Sequence, residues 1–145
     1  MIKYVTGYVL SEDLKRVLLI RKNRPEKQNG KLNGIGGKRE RKILDEGVGD
    51  EHELYAICRE FEEETGVKTF YYDWTHADKL YNDNFELDIY YCVSNKFLES
   101  AKTMETEEVG IYDISSLFGR EDLMNTVEWV IRKILFLIEN KVKSL

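Results

Sequence analysis

Glu60, Glu63 and Glu64 lie close together in CREFEEETGV, residues 58–67. At helical spacing they stand at i, i+3 and i+4 and share one face. Glu62 falls about 200° around the wheel and points elsewhere. Glu53 lies two turns back on nearly the same line as Glu60. Like charges at this spacing repel by a few tenths of a kcal/mol even when exposed. These also crowd the last turns of the helix, where the backbone dipole disfavours negative charge. An apolar stripe of Leu54, Ile57, Cys58 and Phe61 adjoins them, so water reaches the carboxylates from one side only. Local conflicts of this kind tend to sit where a protein acts. A divalent cation removes them. Carboxylate oxygens suit Mg²⁺ or Mn²⁺, with water and phosphate oxygens completing the shell. The plainer alternative is a solvated acidic face.

The helix that carries them has clear ends. Asp50 reads as its N-cap, with Glu53 completing a capping box, and Gly66 reads as the residue that stops it. Upstream, Gly30, Gly34, Gly36 and Gly37 fall within eight positions, which predicts a loop that turns sharply or approaches something closely. Residues 3–10, 16–20, 70–73, 86–93 and 109–114 have the β-branched and aromatic content of strands. YNDN, residues 81–84, reads as a turn. From Asp122 to about Lys141 a second helix follows, with Leu123, Val127, Val130, Ile131, Ile134, Leu135 and Ile138 at helical spacing; Trp129 and Phe136 read as packing residues. The order predicts a mixed sheet covered by helices, an α/β class.

Composition narrows the rest. The 145 residues suggest one domain spanning 1–145, and 42% hydrophobic with 34% charged residues suits a globular chain. No run approaches the ~20 apolar residues of a membrane span. No basic start with an apolar block marks a secretion signal, and Cys58 and Cys92 are too few for a disulfide scaffold. A cytoplasmic location is expected. The net charge of −5 argues against a dedicated duplex nucleic-acid binder. It is unevenly spread. Residues 21–42 hold nine basic and two acidic side chains, a net +7, which leaves −12 for the remainder. A basic stretch beside an acidic body suits an anionic ligand or, more simply, a solvated basic hairpin.

Loop and acidic helix together resemble the signature of the Nudix hydrolases, G-x5-E-x7-R-E-U-x-E-E-x-G-U, with U a bulky apolar residue. The second half matches from Glu51 through Arg59, Glu60, Phe61, Glu63, Glu64 and Gly66 to Val67. The first half departs. The signature has six positions between its glycine and first glutamate; here Gly37 and Glu51 are fourteen apart, an insertion of eight within KRERKILDEGVGD, expected as a loop. It puts the family role of Glu51 in question.

The resemblance implies an α/β/α sandwich and metal-dependent hydrolysis of a phosphoanhydride, with Mg²⁺ or Mn²⁺ as cofactor and a nucleotide as substrate. It implies Glu60 and Glu64 as metal ligands, Glu63 as ligand or general base, and Arg59 as the group orienting Glu60 or Glu51. The Gly36 carbonyl would complete the metal site. A later-loop glutamate often joins it, and Glu105, Glu107 and Glu108 are available, with Glu108 the first choice. LNGIGGK, residues 32–38, resembles the MutT-like triphosphate pyrophosphohydrolases, which implies substrate contacts from Asn33, Gly37 and Lys38; Asn33 reads equally well as a turn residue. The substrate expected first is a nucleoside triphosphate, oxidised ones included. Other Nudix substrates (dinucleoside polyphosphates, nucleotide sugars, ADP-ribose, RNA 5′ ends) and a non-catalytic nucleotide sensor are the alternatives. His52 and His76 are expected at the surface or a helix end.

Overall fold

The computed structural model describes residues 1–44 and 47–143. Among the described residues are nine strands: β1 (Ile2–Leu10), β2 (Arg16–Arg21), β3 (Leu32–Asn33), β4 (Ile35–Lys38), β5 (Arg41–Leu44), β6 (Gly47–Asp50), β7 (Thr75–Tyr81), β8 (Phe85–Val93) and β9 (Glu108–Asp113). Four helices accompany them: α1 (Glu53–Thr65), α2 (Asn95–Ser100), α3 (Ile114–Leu117) and α4 (Asn125–Lys143). Seven strands form one mixed sheet in the order β3-β2-β1-β8-β7, with β4 added to β1 and β9 to β2. β1 runs parallel to β8, and the other pairings are antiparallel.

Alternation along the central strands decides what each face covers, because successive side chains point to opposite sides of a sheet. Val5, Val9, Leu18, Ile20, Tyr90 and Cys92 pack with Ala56, Ile57 and Phe61 of α1. Tyr8, Leu10, Val17, Leu19, Ile89 and Tyr91 face the other way and pack with Val127, Val130, Ile131 and Ile134 of α4. The result is the expected α/β/α sandwich. Each large side chain so buried is worth about 1.5–3 kcal/mol. Phe61 meets Trp74 edge to face, ring centres 5.2 Å apart, and pins the middle of α1 to the sheet.

Several expectations are corrected. Residues 70–73 are not a strand: Tyr71–Asp73 form a 3₁₀ turn, and the strand begins at Thr75. Phe70, Tyr71 and Tyr72 are exposed, so their aromatic content reflects no sheet packing. The N-cap of α1 is His52, whose Nδ1 accepts the Leu54 N–H at 3.2 Å. Asp50 instead ends β6 and pairs with Lys3 at 3.1 Å. Gly66 does stop the helix, with φ of 77°. The glycine-rich segment is partly strand, because β4 adds to β1 with Gly36 opposite Thr6 and Gly37 opposite Val5. A β-carbon on Gly36 would run into the Val5 carbonyl. Helix α2, capped by Ser94 Oγ accepting the Phe97 N–H, is short enough to have escaped a periodicity test.

The inserted residues are not an open loop either. β5 and β6 pair only with each other, Arg41 opposite Asp50 through Leu44 opposite Gly47, while residues 45 and 46 lie outside the described residues. Antiparallel pairing returns the chain to its point of departure. Glu40 and Glu51 therefore meet across the hairpin's base, where the Glu51 N–H donates to the Glu40 carbonyl at 2.7 Å. The extra length leaves the start of α1 where a short link would put it.

A deletion tests this. Removing residues 42–49 joins Arg41 to Asp50, whose Cα atoms, as ladder partners, stand about 4.5–5.5 Å apart, against 3.8 Å across a peptide bond. The shortened chain should keep cooperative thermal unfolding, with Tm moved by less than about 5 °C. A non-cooperative melt followed by circular dichroism would show that the hairpin is part of the core.

Candidate functional site

Arg59 is the hub of the acidic face. Its Nη2 donates to Glu51 Oε1 at 2.6 Å and to the Lys38 carbonyl at 2.9 Å. Its Nη1 donates to Glu60 at 3.0 Å and to Glu63 at 3.3 Å. Glu51 is 4% exposed, and its Oε1 also accepts the Glu40 N–H at 2.9 Å. The insertion therefore leaves Glu51 beside Arg59. The hydrogen bond it donates to Glu51 is the main reason the guanidinium is held more firmly protonated than usual.

The three expected glutamates separate by environment. Glu63 is exposed, 45% at the side chain, and its recorded ion pair is with Arg59. Glu60 is half-buried against β4, where a β-carbon on Gly37 would lie 2.5 Å from its carboxylate. Burial raises the Glu60 carboxyl above its ordinary value, and Arg59 opposes the shift. Glu64 is 8% exposed, and its Oε2 is buried with no hydrogen-bond partner. Burial first, then repulsion from Glu105, Glu107 and Glu60, raises its carboxyl to about 7.

The later acidic loop reaches Glu64 for a reason of helix chemistry. The last carbonyls of a helix have no intrahelical partners. At the end of α1 the Thr65 carbonyl accepts the Lys102 N–H at 2.9 Å, and the Glu64 carbonyl accepts the Met104 N–H at 3.3 Å. This lays residues 102–107 across the helix end. Glu107, 5% exposed, enters the cleft, whereas the expected Glu108 is exposed on β9 and does not line it. Burial decided between them, and no spacing rule in the sequence carries it.

The cleft has a volume of about 950 Å³. Glu60, Glu64 and Glu107 line it, with Lys22 paired to Glu107, and Lys38 lines it opposite Tyr4. Tyr4, Phe85, Leu87 and Met124 line it as well, and the Tyr4 and Phe85 rings meet edge to face at 6.4 Å. Asn33, Gly36 and Gly37 also line it; Asn33 is not a turn residue with an unusual backbone angle but lies in β3 opposite Ile20, with its Oδ1 accepting the Gly34 N–H at 2.8 Å. Glu63 and Arg59 are not lining residues. His52 caps α1, and His76 sits on β7 with Nε2 2.9 Å from Asp88. Among the described residues no three His, Cys, Asp or Glu side chains are gathered closely enough to hold a cation unaided. The unpartnered Glu64 oxygen, beside a half-buried Glu60, nonetheless fits a divalent ion whose shell is shared with water and phosphate oxygens.

The raised Glu64 carboxyl has a definite pH signature. Unfolded, it loses its proton near 4.5; folded, near 7. Between these values the folded state holds the proton more tightly, so the metal-free protein loses stability as pH rises, and the full penalty persists above 7. Glu64→Gln should therefore raise the Tm of the metal-free protein at pH 8 by at least about 3 °C and change it little at pH 4.5. Equal melting of the two proteins at pH 8 in EDTA would contradict the burial of an unpaired carboxylate.

No protein-family model and no curated protein matches the chain. Solved structures do. A MutT protein from Methanosarcina mazei aligns at 21% identity and TM-score 0.66, covering 97% of this chain and 95% of that one. A MutT NUDIX hydrolase from Burkholderia pseudomallei aligns at 18% and 0.66, covering 91% and 96%. The NUDIX domain of Shewanella oneidensis NrtR, solved with ADP ribose, aligns at 14% and 0.71, covering 94% and 87%. At these identities the likeness is one of architecture, and it runs nearly end to end: the chain has the MutT/Nudix fold.

Proposed function

We propose that the chain is a metal-dependent Nudix pyrophosphohydrolase that cleaves a phosphoanhydride in a nucleoside diphosphate-X compound, with nucleoside triphosphates as the first candidates. The observation that carries this reading is the buried, unpartnered Glu64 oxygen next to Glu60 in a cleft large enough for a nucleotide. A lone buried carboxylate is costly unless a ligand completes it. Glu60 and Glu64 would hold the cation, Mg²⁺ or Mn²⁺, with Glu63 available on the same helix face and the Gly36 carbonyl on the facing strand. When bound, the ion neutralises phosphate charge and makes a coordinated water more acidic.

The chain's own residues have separate tasks. Arg59 orients Glu60 from the side away from substrate, through a guanidinium fixed by buried Glu51. Gly37 lets the β4 backbone lie against the Glu60 carboxylate. Lys38, exposed at the cleft edge, can meet a phosphate oxygen. The aromatic and aliphatic region around Tyr4, Phe85, Leu87 and Met124 suits a nucleobase, with Asn33 as its polar neighbour. ADP-ribose, the ligand of the NrtR domain, contains the same phosphoanhydride and is the second substrate class to examine.

Incubation with a nucleotide panel and Mg²⁺ or Mn²⁺ should release phosphate or pyrophosphate, and EDTA should abolish it. Glu64→Gln should lower kcat at least about a hundredfold, the size of a lost charge-stabilising group, with folding retained. No hydrolysis of any panel member with either ion would refute the activity; near-normal turnover by Glu64→Gln would refute the ligand assignment.

A further inference from the structure

Glu107 is the acidic residue that the later loop brings to the cleft, and its carboxylate is already engaged on both oxygens. Oε1 accepts a hydrogen bond from Lys22 Nζ at 3.0 Å, and Oε2 accepts the Asn23 N–H at 2.8 Å. The pair is enclosed, with side-chain exposures of 19% for Lys22 and 6% for Glu107. Its backbone anchors are firm as well. The Lys22 N–H donates to the Lys31 carbonyl at 2.8 Å, the Lys22 carbonyl accepts the Gly30 N–H at 2.7 Å, and Asn23 Nδ2 reaches the Thr106 carbonyl and hydroxyl at 3.4 and 3.3 Å. The end of β2 and the acidic loop are thus fastened to one another through four hydrogen bonds, from Lys22 and Asn23 to Thr106 and Glu107.

An ammonium group has three N–H donors. Lys22 uses one on Glu107, and its other two have no acceptor among the described residues. Both residues line the cleft with Glu60 and Glu64. The geometry points to Lys22 as a substrate-contacting residue that donates to a non-bridging phosphate oxygen, and to Glu107 as the positioning residue that holds it. The inference rests on the reading of this cleft as a phosphoanhydride site. A lysine normally gives up its rotamer freedom when it is fixed on a ligand. Here Glu107 has fixed it beforehand, so the ordering cost falls on folding and not on binding. The same contact explains how three carboxylates share one end of the cleft. Glu107 has its compensating cation within the protein, Glu60 has Arg59, and only Glu64 is left for a ligand from outside.

A double-mutant cycle with two readouts tests this. The probes are inorganic pyrophosphate binding in EDTA, followed calorimetrically, and steady-state kinetics with the best nucleotide and Mg²⁺. Lys22→Met should weaken pyrophosphate at least about tenfold and raise KM by a similar factor, with kcat less affected. Glu107→Gln should weaken pyrophosphate by a smaller factor and keep the acid limb of the pH–rate profile. Lys22→Met/Glu107→Gln, which removes both charges and leaves neither buried alone, should be no worse than Lys22→Met alone within about twofold. Unchanged pyrophosphate binding by the double variant overturns the assignment of Lys22. A hundredfold kcat loss in Glu107→Gln with the acid limb gone, in either background, overturns the positioning role and makes Glu107 a base or ligand. Lys22-dependent pyrophosphate binding with no nucleotide hydrolysis by the unaltered protein would remove the proposed activity and leave this site standing.

Discussion

The hydrogen-bonded pair of Arg59 and Glu51 is the interaction on which the site's geometry depends. Glu51 is almost fully buried two residues before α1 begins, and Arg59 comes from the second turn of that helix. A buried pair of this kind adds little net stability, but removing one partner alone costs about 3–5 kcal/mol. What the pair supplies is register. It ties the entry of α1 to its middle, and through the Lys38 carbonyl it ties both to the end of β4. With β4 held there, Gly37 meets Glu60. An arginine suits the position because its planar fork serves several acceptors at once, which a single ammonium cannot do.

This constraint also explains how the chain tolerates an insertion in its most patterned region. Closing a flexible loop costs only slowly more as it lengthens. A hairpin goes further, since its strands satisfy one another's backbone groups and bring residues 40 and 51 into contact. The added residues project from a point that is otherwise unchanged. Arg41 and Lys42 belong to the basic stretch of residues 21–42, but Asp45, Glu46 and Asp50 offset them within residues 41–50, and the cations that line the cleft, Lys22, Arg24 and Lys38, come from outside the hairpin.

The sequence was most informative where one periodicity governed burial. The α1 and α4 stripes and the alternation in β1, β2 and β8 appear in the fold because each buries one face against one partner. The separation of Glu62 from Glu60, Glu63 and Glu64 was legible for the same reason. It was least informative where tertiary contacts outweigh local preference. Asp50 has the chemistry of a cap, but Lys3 and the hairpin claim it, and His52 takes the position. The Phe70–Asp73 aromatics look like strand and lie on the surface in a 3₁₀ turn. The glycines of residues 34–37 looked like loop because glycine is rare in strands. They are in or beside a strand because β4 must run against β1 and Glu60 with no room for side chains. Glu107 and Glu108 are adjacent glutamates, and only the docking of residues 102–107 on the end of α1 distinguishes them.

The cleft is organised by unequal compensation of like charges. Four glutamates, Glu51 before α1, Glu60 and Glu64 on it and Glu107 on the later loop, crowd this side of the molecule, a density that would open the structure if all were left bare. Glu51 and Glu60 are answered by Arg59, Glu107 by Lys22 and the Asn23 amide, and each answer also sets a backbone position. Glu64 feels Lys22 only through space, as the weakest influence on its carboxyl. Its outer oxygen is buried without a partner, and three other carboxylates raise its proton affinity. With three of these four acids hydrogen-bonded by cations or amides and the fourth left without a partner, the uncompensated charge is concentrated at one point that lines the cleft. This oxygen is the point on the acidic face where a proton, or the cation of the proposed reading, is most favoured, because it is the carboxylate the fold leaves without a hydrogen-bond partner.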